Sequence, residues 1–172
     1  GYLNMLKPPG MSSAAVVGRV RRLTGEKRVG HAGTLDPEAA GVLPVMVGRA
    51  TRLFDYLVDK EKIYIAEVGF GQATDTQDAT GRVTATGTNY PELAMVRSAA
   101  ERLTGDILQR PSPYSAIKQN GVPLYQKARR GEEVAVPERQ VHVERILVMR
   151  ELPAHGFLLR VDCGREIGRA HV

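Results

Sequence analysis

The sequence predicts an α+β fold with an antiparallel or mixed sheet, and three observations support this. Apolar residues recur at helical spacing in some segments and alternate with polar residues in others. Clusters of proline and glycine separate these segments. Of the 172 residues, 42% are hydrophobic and 25% are charged, so the chain can bury a substantial core.

Turn residues delimit the elements in the first third of the chain. The Lys-Pro-Pro-Gly run at 7–10 excludes helix and central strand, because proline lacks a backbone donor. Ser12 or Ser13 is expected to cap a helix that stops near Gly25. The segments that follow are a loop over 29–37, a short helix or turn leading to a strand over 38–47, and a helix over 50–58.

Strands predominate in the rest of the chain. Alternation of apolar and polar residues predicts strands over 62–71 and 82–86. Residues 141–151 and 156–163 are predicted to pair as a hairpin. An amphipathic helix is expected over 91–103, with a proline near its start and a glycine beyond its end.

Two irregular segments are expected among these strands. Residues 72–81 are rich in threonine and aspartate, and we expect Asp75 and Asp78 to order this loop. Residues 109–131 mix proline, glycine, tyrosine and basic residues, which is typical of an exposed excursion.

Basic residues are concentrated in two segments of the chain. The formal net charge is +5, from 24 basic and 19 acidic side chains. Residues 1–30 carry six basic residues against one acid, and residues 109–131 carry five against none. Such a distribution indicates a surface that binds a polyanion. A solvated basic face is the alternative interpretation.

Several classes of protein are excluded or disfavoured. No apolar run approaches the ~20 residues of a membrane span. The single cysteine, Cys163, permits no intrachain disulfide, so a cytoplasmic location is expected. The four histidines are scattered, and Cys163 has no cysteine partner, so we expect no metal site. Phosphate-binding and serine-hydrolase motifs are absent.

The most unusual motif is Gly-His-Ala-Gly-Thr-Leu-Asp-Pro at 30–37. It places glycines, an aromatic base and a carboxylate in one short loop. Pro37 disfavours helical geometry at Asp36, so the loop could hold this carboxylate extended in a cleft. Alternatively, Asp36 caps a helix that begins at Pro37.

This motif and its surroundings resemble the TruB-type tRNA pseudouridine synthases. The match continues with Gly-Val-Leu-Pro-Val at 41–45 and Gly-x-Ala-Thr at 48–51. Further matching motifs lie, in order, at 7–13, 62–64, 71–81 and 111–131, with Arg139 after them. The resemblance therefore covers nearly the whole chain.

The resemblance implies a fold and an activity. The family has a mixed, mainly antiparallel sheet flanked by helices, and it converts a T-loop uridine of tRNA to pseudouridine without a metal or cofactor. It gives Asp36 the role of catalytic carboxylate, acting through a covalent or a glycal intermediate. Tyr64 would stack on the target base, although a strand tyrosine in the core is the alternative. His31 would occupy the space beside the flipped nucleotide.

The resemblance also implies a partner, the T stem-loop of tRNA, bound by a monomer. Segment 109–131 corresponds to a mobile thumb that closes over the RNA. Basic side chains are expected to contact RNA phosphates. The candidates are Lys7, Arg28, Lys118, Arg129 and Arg130.

The match breaks after Cys163. The family continues there with Ser-x-Gly-x-Tyr-Ile-Arg-Ser-Leu, which supplies a pocket tyrosine and an arginine that pairs with the catalytic aspartate. This chain continues with Gly-Arg-Glu-Ile-Gly-Arg-Ala-His-Val, and we expect residues 1–172 to contain no PUA-type domain. We therefore expect residues 1–172 to be a catalytic domain that is incomplete after Cys163. Neither Arg165 nor Arg169 is assigned the role of that arginine.

Two other functions remain open at this point. The chain could be an RNA-binding module without catalysis, in which the 30–37 loop is only a cap. It could also be a related synthase that acts on another RNA.

Overall fold

The computed structural model describes residues 1–58, 61–111, 118–119, 122–123, 130, 136 and 138–164. The chain divides into two compact units, an N-terminal unit over Gly1–Lys60 and a C-terminal unit over Glu61–Val172. Each unit combines helix with antiparallel sheet. The predicted α+β class is therefore confirmed.

The N-terminal unit contains a three-stranded antiparallel sheet. Its strands are β1 (Tyr2–Lys7), β2 (Val29–His31) and β3 (Gly41–Val47), in the order β1-β3-β2. Helix α1 (Ser13–Thr24) follows β1. A 3₁₀ helix (Gly48–Leu53) follows β3 and leads into α2 (Phe54–Val58).

Helix α1 has capped ends and one apolar face. Ser12 Oγ accepts a hydrogen bond from the Ala15 N–H at 3.2 Å, and Gly25 ends the helix with a φ of 66°. The helix buries its valines against the sheet, which contributes about 1.5–3 kcal/mol for each fully buried side chain. This core consists of Val16, Val17 and Val20 with Val29, Leu43 and Val45.

The C-terminal unit contains a four-stranded antiparallel sheet in the order β4-β11-β10-β7. Its elements are β4 (Lys62–Gly69), β5 (Gln72–Thr74), β6 (Val83–Thr86), α3 (Leu93–Arg102), β7 (Gly105–Gln109), β8 (Lys118–Gln119), β9 (Val122–Pro123), β10 (Arg139–Leu152) and β11 (Gly156–Cys163). Strands β5 and β6 pair with each other, as do β8 and β9. Helix α3 packs on β10.

One face of this larger sheet forms the core of the C-terminal unit. Val141 and Val143 of β10 and Val161 and Cys163 of β11 are buried together. Cys163 is thus a buried small residue, and burial raises the pKa of its thiol. A protonated thiol is a poor nucleophile, so the thiol is not suited to catalysis.

The structure differs from the predicted elements in several places. Strands β1 and β7 had no predicted counterpart, because neither segment shows a long alternating pattern. The predicted loop over 72–81 is wrong at its start, since β5 (Gln72–Thr74) pairs with β6. The predicted loop over 29–37 is wrong at its start, since Val29–His31 pairs with β3. The predicted helix over 50–58 begins at Gly48 as a 3₁₀ helix.

Other predicted elements are confirmed. The hairpin of β10 and β11 has the expected antiparallel pairing, and its turn places Ala154 and His155 at positive φ. Within the described ranges, no helix is long and apolar enough to cross a membrane.

Candidate active site

The loop between β2 and β3 carries Asp36, the candidate catalytic residue. Residues 37 and 38 form a bend, and the chain then enters β3 at Gly41 without a helix. The Asp36 carbonyl accepts the Ala39 N–H at 3.1 Å, which closes a tight turn. The interpretation of Asp36 as the cap of a helix beginning at Pro37 is therefore wrong. The Asp36 residue is exposed to solvent.

Lys7 holds the loop immediately after Asp36. It is 0% exposed, and its Nζ donates to the carbonyls of Pro8 (2.9 Å), Met11 (2.7 Å) and Pro37 (3.0 Å). A buried ammonium is tolerated only when it is hydrogen-bonded in this way. The prediction that Lys7 contacts RNA phosphate is therefore wrong, because its charge lies inside the protein.

The backbone of the Lys-Pro-Pro-Gly run adds a second contact to the same carbonyl. The Gly10 N–H donates to the Pro37 oxygen at 2.8 Å, and Gly10 has a φ of 75° that favours glycine. The Pro37 carbonyl thus accepts two hydrogen bonds from one turn.

Ser13 holds the loop immediately before Asp36. Its side chain is buried, and its Oγ donates to the Leu35 carbonyl and accepts from the Leu35 N–H, both at 3.0 Å. The sequence predicted a cap at Ser12 or Ser13, and only Ser12 caps the helix. The contact with Leu35 spans 22 residues, so no local pattern could have revealed it.

Asp36 is therefore fixed through its two neighbours. Leu35 is tied to α1 by Ser13, and Pro37 is tied to the end of β1 by Lys7. The Leu35 side chain also packs against the N-terminal core. The backbone that carries the Asp36 carboxylate is therefore held in place on both sides before any ligand binds.

His31 stands at the end of β2, five residues before Asp36. Its Nδ1–H donates to the Gly33 carbonyl. In the neutral ring this leaves Nε2 as a hydrogen-bond acceptor. Gly33 has a φ of 106°, so this tight turn favours glycine.

Tyr64 lies on β4 in the C-terminal unit. It pairs with Val161 of β11 and packs, partly buried, against the cluster of Val141, Val143 and Cys163. This packing agrees with the interpretation of a core tyrosine. Its role against a target base stays a prediction.

The candidate phosphate-binding residues are described to different extents. Arg28 is exposed in the turn before β2, and Arg130 is exposed. The backbone of Lys118 lies in β8, opposite Pro123, and its side chain lies outside the described residues. Arg129, Arg165 and Arg169 also lie outside the described residues.

The segment predicted as an excursion, 109–131, begins at Gln109, the last residue of β7. Cross-strand contacts join β7 and β10 at its root, where Arg139 donates to Gln109 Oε1 at 2.9 and 3.2 Å. One step outward, Arg110 and Glu138 form an ion pair at 3.2 Å.

His142 makes a further contact between these strands. Its Nδ1 lies 2.8 Å from Asp106 Oδ1 and its Nε2 lies 3.4 Å from Glu144 Oε2. Hydrogen bonds to Asp106 first, and then to Glu144, raise the pKa of His142 above its ordinary value. Protonation therefore strengthens the contact between β7 and β10.

The threonine- and aspartate-rich loop is ordered by its carboxylates, as predicted. Asp75 Oδ1 accepts the Arg82 N–H at 2.9 Å. Asp78 Oδ1 accepts from Thr76 Oγ1 and from the N–H and Oγ1 of Thr80, at 2.7–2.8 Å. In the described parts of the chain, no group of three histidine, cysteine, aspartate or glutamate side chains is arranged to hold a metal ion.

A family model described as TruB family pseudouridylate synthase (N terminal domain) matches residues 21–167. The tRNA pseudouridine synthase B of Caldanaerobacter subterraneus subsp. tengcongensis is 44% identical over 166 residues, which cover 96% of this chain and 58% of that protein. That of Symbiobacterium thermophilum is 49% identical over 163 residues, which cover 94% of this chain and 54% of that protein. The chain thus spans little more than half the length of these curated relatives.

Two solved structures contain a chain with a similar fold. A chain in the crystal structure of a Cbf5-Nop10-Gar1 complex aligns with a TM-score of 0.66 and 27% identity, covering 96% of this chain and 40% of that one. A chain in the structure of an H/ACA RNP bound to a substrate RNA containing 2′-deoxyuridine aligns with a TM-score of 0.65 and 26% identity, covering 96% and 38%. These similarities confirm the predicted fold.

Proposed function

Since the chain belongs to the TruB family of pseudouridylate synthases, we propose that it isomerises a uridine in the T-loop of tRNA to pseudouridine. The observation that carries this proposal is the anchoring of Leu35 and Pro37 on either side of Asp36. The relatives named as tRNA enzymes are 41–49% identical, whereas the chains in the two H/ACA structures are 25–26% identical. This difference favours tRNA over another RNA as the substrate.

The reaction needs a carboxylate at one defined place. The bond between C1′ and N1 of the uridine breaks, the uracil turns, and C5 bonds to C1′. N1 gains a proton and C5 loses one, so the composition of the nucleotide does not change. The Asp36 carboxylate either stabilises and captures the developing positive charge at C1′ or removes a proton from the ribose. Both routes require the carboxylate to be held beside the sugar.

The base must leave the stack of the RNA loop before this chemistry can begin. Extrusion costs a few kcal/mol, and stacking on an aromatic ring recovers part of this cost. We assign this stacking to Tyr64. His31 fills the space beside the flipped nucleotide, where its Nε2 can accept a hydrogen bond.

Exposed basic side chains supply affinity for the RNA backbone. Arg28 and Arg130 are exposed and suited to phosphate contacts, and Lys118 and Arg129 belong to the second basic segment. The thumb role of segment 109–131, a monomeric state and a cytoplasmic location remain proposals. So does the expectation that residues 1–172 are a catalytic domain incomplete after Cys163.

The proposal is tested by Asp36→Asn in the 172-residue chain. Loss of C5 tritium from a T-arm minihelix that carries [5-³H]uridine measures the reaction directly, because C5 must release its hydrogen. We expect turnover to fall by about 10²–10⁴-fold, while the affinity for the minihelix stays that of the unchanged chain. Glu38→Gln is the matched control, since it removes a charge from the same loop and is expected to keep turnover.

Two results would contradict the proposal. If Asp36→Asn releases tritium at the rate of the unchanged chain, Asp36 is not the catalyst. If the unchanged chain binds the minihelix but releases no tritium, the 172-residue chain binds RNA without catalysing the reaction.

A further inference from the structure

The positive charge of the N-terminal unit is concentrated at one corner of its fold. Between residues 1 and 58, every lysine and arginine except the buried Lys7 falls within segments 19–28 and 49–52. These two segments are separated along the chain, so their association depends on the fold. We call the following six exposed residues the basic corner: Arg21, Arg22, Lys27, Arg28, Arg49 and Arg52.

One backbone hydrogen bond brings the two segments together, and a side-chain hydrogen bond ties the end of α1 to β2. The Gly48 N–H donates to the Arg28 carbonyl at 2.7 Å, which joins the turn after α1 to the start of the 3₁₀ helix. Arg21 Nη2 donates to the Val29 carbonyl at 2.9 Å, which joins the end of α1 to β2. Arg49 follows Gly48 directly, and Arg52 lies one turn further along the same side of the 3₁₀ helix, so both belong to the same corner as Arg28.

The acidic residues of the corner offset little of this charge. Segments 19–31 and 47–57 contain two acids, Glu26 and Asp55, against seven basic residues. Glu26 Oε1 accepts the Arg28 N–H at 3.0 Å, so this carboxylate also orders the turn. The net positive charge is therefore maintained at the surface.

A depression connects the basic corner with His31. Its volume is about 450 Å³, within the range of small-molecule sites. Arg21, His31, Thr51 and Phe54 are among the residues that line it. A guanidinium, a hydroxyl and two aromatic rings beside a positive rim are suited to a ribose-phosphate chain and its bases.

We propose that the basic corner is a second phosphate-binding surface, which holds the RNA strand that runs from His31 across the depression to Arg49 and Arg52. This inference rests on the proposed function for the identity of the ligand as RNA. It adds a surface that is built from residues of the N-terminal unit alone.

The test compares two double variants of the 172-residue chain. Arg49→Gln with Arg52→Gln removes two charges from the basic corner. Arg97→Gln with Arg102→Gln removes two exposed charges from α3 of the C-terminal unit. Binding of a fluorescent T-arm minihelix is measured over a series of salt concentrations. The logarithm of the RNA-binding constant falls linearly with the logarithm of the salt concentration. Each lost phosphate contact makes this slope less steep by about 0.7.

We expect the slope to become less steep by about 1.4 in the corner variant and to stay unchanged in the α3 variant. In the corner variant, the kcat for tritium release at saturating RNA should stay unchanged, and the KM for the minihelix should rise. Arg49→Lys with Arg52→Lys should keep the slope, because it keeps both charges.

Other outcomes overturn the inference. An unchanged slope in the corner variant shows that these arginines do not contact phosphate. An equal fall in both double variants shows an effect of net charge alone. If the unchanged chain releases no tritium while the corner variant shows the expected slope, the proposed isomerisation fails and the phosphate surface stands.

Discussion

Buried hydrogen bonds hold the Asp36 loop in the N-terminal unit, whereas exposed charge pairs join two strands in the C-terminal unit. In the N-terminal unit, the contacts beside Asp36 are buried, with Lys7 0% and Ser13 3% exposed. In the C-terminal unit, the contacts between β7 and β10 lie at the surface, with the side chains of His142 and Asp106 54% and 66% exposed. Solvent and salt weaken exposed charge pairs far more than buried hydrogen bonds. The buried set therefore fixes a position, and the exposed set adjusts stability.

The largest effect is expected from Lys7→Met, which removes the central donor of the buried set. The variant keeps an apolar stem and removes the ammonium, which leaves the carbonyls of Pro8, Met11 and Pro37 without its hydrogen bonds. A hydrogen bond to a charged group contributes about 1.5–3 kcal/mol, and the Pro37 carbonyl keeps the Gly10 N–H, so we expect a loss of about 3 kcal/mol in the free energy of unfolding. Urea denaturation measures this loss.

The exposed Arg19→Met is the control for Lys7→Met, and its free energy of unfolding should change by less than about 0.5 kcal/mol. If Lys7→Met unfolds at the urea concentration of the unchanged chain, the buried ammonium does not hold the loop.

Adjacent serines sharpen the contrast within the buried set. Ser13→Ala removes both hydrogen bonds to Leu35, so we expect a loss of about 1–3 kcal/mol in stability and a lower kcat for tritium release. Ser12→Ala removes only the helix cap, so we expect a loss of about 1 kcal/mol with kcat kept. Urea denaturation and single-turnover kinetics on both variants separate the two effects. Equal kcat values in both variants would reject a positioning role for Ser13.

The smallest expected effect concerns His142 and pH. Because the pKa of His142 is raised in the folded protein, its protonated form stabilises the fold. This contribution is complete below the ordinary histidine pKa of about 6.5 and is lost as pH rises through the raised value. We expect His142→Gln to lower stability at about pH 6 more than at about pH 8, as measured by urea denaturation. An identical loss at both values would show that His142 packs without carrying charge.

Local features of the fold were accessible from the sequence. Ser12 and Gly25 delimit α1 because each acts within one turn of the helix. The hairpin of β10 and β11 was predicted because both strands alternate and a short turn joins them. Strand β2 was missed, since three residues with a central glycine form a strand only when β3 supplies the partner.

The candidate site divides in the same way. The motif around Asp36 was visible because its residues are contiguous. The function of Lys7 was not, because its decisive contact reaches Pro37, 30 residues further along the chain. A lysine in a basic segment is usually solvated, and no local pattern distinguishes a buried ammonium from a phosphate contact. The sequence showed only the part of the basic corner that lies within residues 1–30. Arg49 and Arg52 join it through the contact between Gly48 and Arg28, which are distant in the chain.

The ammonium beneath the Asp36 loop also affects how this protein responds to heat. Loosening of the loop alone would separate the buried Lys7 ammonium from the Pro37 carbonyl, one of its three hydrogen-bond partners. Opening of the loop by itself therefore has a high free-energy cost, and the loop opens together with β1, the strand that carries Lys7. Warming should leave the geometry around Asp36 unchanged until the N-terminal sheet itself melts.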